Sequence, residues 1–197
     1  FPGASYTPPD QDLMQHYVQK LQETARDLLA SGQVDCVIGY ETSSRGTTRP
    51  TFVYHSEDVE RLVWNQDCTH NLTTYLNQKL ASSAGNPGSD RKYRVGVVVK
   101  PCDERAINVQ LAEKRYERDQ VYLIGMACEG IQEHTRYTGQ IRSETAPRLQ
   151  DRCLECPDRL PHIADMVIGN EAQPTLSTNP QRLAGIERLQ DMTPAER

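Results

Sequence analysis

The chain has 197 residues, 37% hydrophobic and 25% charged, with a net charge of -5 at pH 7, which allows one substantial core or one domain with an extended tail. The acidic balance, and the lack of a basic stripe interleaved with aromatics, exclude a general nucleic-acid binder. No apolar run approaches the ~18 residues of a membrane span, and six cysteines in this length are too sparse for a disulfide-stapled secreted scaffold.

Residues 1–10 are Pro-rich and read as an extended arm. They lack the charged-then-apolar order of a signal peptide, so a cytoplasmic location is expected. Leu13, Tyr17, Leu21, Ala25, Leu28 and Leu29 fall at helical spacing. They predict a helix over 11–30 with Asp10 as its N-cap and Gly32 as its stop. The β-branched run at 34–40 reads as a strand, and so does TFVYH at 51–55. Ser56 is expected to cap a helix beginning EDVERLVWN, where Glu57 and Asp58 suit the positive end of the helix dipole. A second amphipathic helix is expected over 71–84, followed by a loop at SSAGNPGSD.

The next pattern repeats itself. YRVGVVVK reads as a buried strand running into Lys100-Pro101-Cys102, with a helix over about 103–115. QVYLIGMAC reads as a second such strand, ending at Cys128. This β–α–β unit sets a cysteine just past the carboxyl end of each strand, the edge at which ligands gather in open parallel sheets. ADMVIG at 164–169 is a further short strand. A polar tail covers 171–197, with a helical piece over 180–189. The expected fold is therefore α/β: a mainly parallel sheet flanked by helices in a domain over 11–170.

Cys153 and Cys156 form a C-x-x-C in a polar loop, while Cys102 and Cys128 stand singly, 26 residues apart. Thiolates delivered from strand ends and one tight loop can converge on a soft metal. Zinc sites, redox disulfides and iron–sulfur clusters all use C-x-x-C. Zinc would usually bring a second close pair or a Cys/His pair, and a thioredoxin-like motif would sit at a strand-to-helix junction. An iron–sulfur cluster is the expectation; bound zinc and unligated thiols are the alternatives. Cys36 lies inside a strand pattern, as a small apolar residue would. Cys68, in WNQDCTHNL, is expected beside the cluster rather than on it.

Lys100 and Arg105 flank Cys102. Cations there would raise the potential of an anionic cluster, or meet a reduced flavin; alternatively, Lys100 merely marks the solvent end of a strand. Asp103 reads as the cap of the following helix. GMACEG and TSSRGTTR could each hold a phosphate, but ordinary surface loops explain them as well, and the chain has no GxGxxG or P-loop. The histidines make no metal spacing with one another. With no nucleophile elbow and no paired carboxylates, a hydrolase has nothing to stand on.

Four segments together resemble the beta subunit family of the deazaflavin-reducing hydrogenases and formate dehydrogenases. They are DLLASGQVDCVIGYE, VVVKPCDERAI, LIGMACEG and CLECPDRLPHIADMVIGNE, in that order, within residues 20–171. The resemblance implies an iron–sulfur flavoprotein subunit that passes electrons between a metalloenzyme partner and a soluble carrier. By residue match, Cys102, Cys128, Cys153 and Cys156 would hold one 4Fe-4S cluster, with or without FAD. The family's Gly-rich segment ahead of the first helix is replaced here by ASYTPPDQD. The partners implied are the other subunits of a hydrogenase, formate dehydrogenase or heterodisulfide-reductase-like complex. A non-catalytic scaffold subunit, with zinc-bound or unligated cysteines, is the rival from another class.

Overall fold

The computed structural model describes residues 10–83, 92–133, 149–154, 156 and 158–169. Most of the expected arm, most of the expected loop at 82–90, and the expected tail with its helical piece over 180–189 lie outside the described residues.

Helix α1 (Gln11–Ala30) begins where Asp10 accepts a hydrogen bond from the Asp12 N–H at 2.9 Å. Its apolar stripe buries Tyr17, Leu21, Ala25 and Leu28; each full burial of a leucine is worth about 1.5–3 kcal/mol. Gly32, at φ +68°, reverses the chain at low steric cost, and the Gln33 and Val34 N–H groups bond back to the Leu28 carbonyl.

The five strands of the described residues form one sheet in the order β2-β1-β3-β4-β5. They are β1 (Cys36–Thr42), β2 (Thr48–Val53), β3 (Val95–Val99), β4 (Val121–Met126) and β5 (Met166–Ile168). Only the β1–β2 hairpin pairs antiparallel; β1, β3, β4 and β5 are parallel. Every residue of β3 is buried, as a continuous valine run requires when both faces of a strand are covered. Helix α2 (Thr73–Ser83) packs on α3 (Pro101–Ala112) and β3, α3 also packs on β4, and α1 packs on β1 and β5. The α/β fold with a mainly parallel sheet is as the sequence predicts.

Three local expectations need correction. Ser56 does not cap an α-helix: Ser56–Arg61 is a 3-10 helix, and its N-cap residue, His55, makes no side-chain cap bond. The chain leaves it early because Leu62 and Trp64 are buried and the Val63 N–H bonds to the Tyr40 carbonyl at 2.9 Å. Helix α3 starts at Pro101, not Asp103. Pro suits the first helical position, and Asp103, in the third, accepts from the Lys100 N–H at 3.3 Å. The C-x-x-C is not wholly in a loop, since Cys153 falls in the short helix α4 (Asp151–Leu154).

Candidate functional site

The parallel pairing of β3 and β4 matches Val99 with Gly125. Cys102 and Cys128, each three residues further on, therefore leave neighbouring strands at the same level. Cys102 is exposed as the second residue of α3, and Cys128 is half-buried. β5 joins β4 with Met126 opposite Ile168. Its entry is set by Asp165, which accepts from the Leu123 N–H at 2.7 Å and pairs with Arg118 at 2.9 Å.

The segment carrying Cys153 and Cys156 is tied to this rim from several sides. Gln132 bridges to Leu149, and the Gln150 N–H bonds to the Ile131 carbonyl at 2.9 Å. Gly130, at φ +104°, allows the close approach: a Cβ there would meet Leu149 Cδ1 at 2.9 Å and Cys153 Cβ at 3.3 Å. Arg159 donates to the carbonyls of Cys128 (3.4 Å) and Cys153 (3.0 Å), and its own carbonyl accepts from the Cys128 N–H at 2.9 Å. The first turn of α3 holds the same segment. Buried Glu104 accepts from the His162 and Ile163 N–H groups, both at 2.7 Å, and Arg105 pairs with Asp158. The Cys156 thiol donates to the Asp158 carbonyl at 3.2 Å.

The thiols feel one another. Burial pushes the Cys128 thiol up to about 12; the Gly130 N–H and Lys100 oppose this, while Cys102 and Cys153 add to it. Residue Cys102 is exposed, yet burial of its thiol by the surrounding rim pushes it up, helped by Asp103, Cys156 and Cys153 and opposed by Lys100. Such thiols stay protonated at neutral pH unless a soft cation displaces the proton, because a coordinating thiol is held as thiolate. The donor set is therefore of the type an iron–sulfur cluster or zinc takes. Among the described residues, however, no three His, Cys, Asp or Glu side chains are gathered closely enough to hold a metal ion, so the group would have to close around one.

Lys100 is not at the solvent end of its strand. Its side chain is 4% exposed and pairs with Asp103 at 2.9 Å. The ammonium also reaches the Tyr40 hydroxyl (2.5 Å), the His70 carbonyl (2.8 Å) and the Cys68 carbonyl (3.1 Å). An ammonium has three protons to donate, so Lys100 acts on the rim through its charge. The Tyr40 hydroxyl, which donates to the His70 carbonyl at 2.5 Å, is pushed well up by burial first, then by Asp103, Cys68, Cys102 and Cys128. Cys68 is fully buried with its thiol against Asn65, and Cys36 is a core residue of β1.

Sequence reasoning missed Glu104, Arg159 and Tyr40. Nothing local distinguishes them from surface charges or a core aromatic, because, Cys153 apart, the partners named here lie 30 to 60 residues away in sequence. A small cleft adjoins Cys128, with Met14, Trp64, Gln66 and Gly130 among its walls.

Fold and rim together define an α/β protein with thiols from three chain segments at the carboxyl edge of a parallel sheet. No protein-family model matches the sequence, and no curated protein matches it. Among solved structures, the chain is similar to one from the F420-reducing NiFe hydrogenase complex of Methanosarcina barkeri, with 14% identity and a TM-score of 0.46. The match covers 64% of this chain and 44% of that one, so this chain spans less than half of its neighbour. A likeness at that level carries no functional assignment.

Proposed function

We propose that this chain is an iron–sulfur electron-transfer subunit of a multi-subunit redox complex of the hydrogenase, formate dehydrogenase or heterodisulfide-reductase type. Cys102, Cys128, Cys153 and Cys156 would be the ligands of one 4Fe-4S cluster. The observation that supports this most is the matched register of β3 and β4, together with the ties that fasten the C-x-x-C segment behind Cys128. A cluster there would supply one-electron chemistry. The chain's own part is to hold the thiols, to keep the Lys100 charge behind Cys102 and to limit water. FAD is the second cofactor implied by the sequence resemblance.

A second reading is a non-catalytic scaffold subunit with zinc-bound or unligated cysteines. It is favoured by the lack of a closed metal-binding group among the described residues. Iron, acid-labile sulfide, zinc and released flavin, measured per chain on anaerobically purified protein, separate the two. About four iron and four sulfide, falling sharply in Cys153→Ser, are expected from the relay. Stoichiometric zinc, or no metal in protein kept from oxygen, would leave the scaffold.

A further inference from the structure

We infer that Arg159 is the positioning residue of this rim, fixing the spacing between the Cys128 and Cys153 thiols. The inference rests on the cysteine site proposed above. The guanidinium is a planar fork of donors, and here its two terminal nitrogens serve carbonyls on two different segments. One goes to the Cys128 carbonyl at 3.4 Å, just beyond β4, and the other to the Cys153 carbonyl at 3.0 Å, in α4.

The backbone closes the loop from the other side, where the Cys128 N–H donates to the Arg159 carbonyl at 2.9 Å. Cys128 is thus held at both its N–H and its carbonyl by one residue, and the same residue holds Cys153. Lysine would replace the rigid planar fork with one flexible point donor, so the side chain would no longer set the separation of the two carbonyls. The Nε–H of Arg159 is buried without a partner among the described residues. That Nε–H is a spare buried donor near the thiol-bearing rim, where N–H groups stabilise metal-bound sulfur.

The test uses the full chain, reduced and stripped of metal by chelation, titrated with cobalt(II). Thiolate-to-cobalt charge-transfer absorption is the readout, and it reports ligand geometry independently of activity. Arg159→Lys keeps the charge and most of the stem; Arg159→Met keeps only the stem. Both should bind cobalt about 10- to 100-fold more weakly, with an altered charge-transfer spectrum. The thermal midpoint of the metal-free chain should move little in Arg159→Lys. Wild-type cobalt binding in both variants would overturn the assignment. So would full binding in Arg159→Lys with loss only in Arg159→Met, since charge alone would then be enough. If the wild-type chain itself gives no thiolate–cobalt band, the cysteine site fails, and the role of Arg159 fails with it.

Discussion

The Lys100 ammonium lies 2.9 Å from the Asp103 carboxylate, with the two side chains 4% and 2% exposed. Both charges sit at the turn from β3 into α3, one residue on either side of Pro101-Cys102. Each satisfies the other and a backbone group as well: Asp103 takes the Lys100 N–H, and Lys100 serves the His70 and Cys68 carbonyls. The pair therefore fastens the 65–70 loop to the strand end that delivers Cys102.

Breaking such a pair from one side leaves a buried charge uncompensated, at a cost of about 3–5 kcal/mol. Lys100→Met should lose about that much in urea unfolding. The double variant Lys100→Met/Asp103→Asn should recover part of it. A single variant as stable as the wild type would show that the pair does not hold the turn.

Glu104 clamps the segment after the C-x-x-C through two backbone N–H groups at 2.7 Å. Glutamine offers one acceptor oxygen where glutamate offers two, and its NH₂ would face a donor. Glu104→Gln should cost about 2 kcal/mol. It should also speed hydrogen exchange at the His162 and Ile163 amides more than elsewhere. Unchanged protection at those two amides would refute the clamp.

Glu41 supplies a pH-dependent term away from the cysteines. Burial pushes its carboxyl up, but hydrogen bonds from Arg61, Thr51 and Arg49 outweigh that and hold it below its ordinary value. With the folded value depressed, the unfolded chain binds more protons in that range, so stability rises with pH. The contribution is fully present above the usual glutamate value of ~4.3 and is lost as pH falls through the lower folded value. Both arginines are about half exposed, so Glu41→Gln should cost only about 1 kcal/mol at pH 7. The gap between variant and wild type should shrink towards zero in acid. A gap independent of pH would point to packing, not charge.

Thiol labelling tests Cys102 as a ligand. In the metal-free chain Cys102 is exposed, while burial pushes Cys68 and Cys128 up to about 12. At pH 8 such thiols are thiolate to only about one part in ten thousand. Iodoacetamide should therefore modify Cys102 well before Cys68 or Cys128, as read by peptide mass spectrometry. Reconstitution with iron and sulfide should then protect Cys102. Equal labelling of Cys102 before and after iron uptake would remove it from the ligand set.

Much of this architecture is legible in the residues themselves. The stripe of Tyr17, Leu21, Ala25 and Leu28 is helical by spacing, and local hydrogen bonds at Asp10 and Ser31 end it where the pattern ends. The valine-rich run of β3 reads as a strand covered on both faces, so the β–α–β unit and its two trailing cysteines follow from short-range pattern. What the sequence could not decide is which strands are neighbours, and so whether Cys102 and Cys128 share a level; that depends on the β3–β4 register. Nor could it tell a buried Lys100 from a strand-end lysine, or identify Glu104 and Arg159. A charge goes inside only when its partners arrive from elsewhere in the chain, and those partners are brought by the fold. Local periodicity determined the elements of this protein, whereas long-range pairing of buried polar groups decided how its cysteine rim is held.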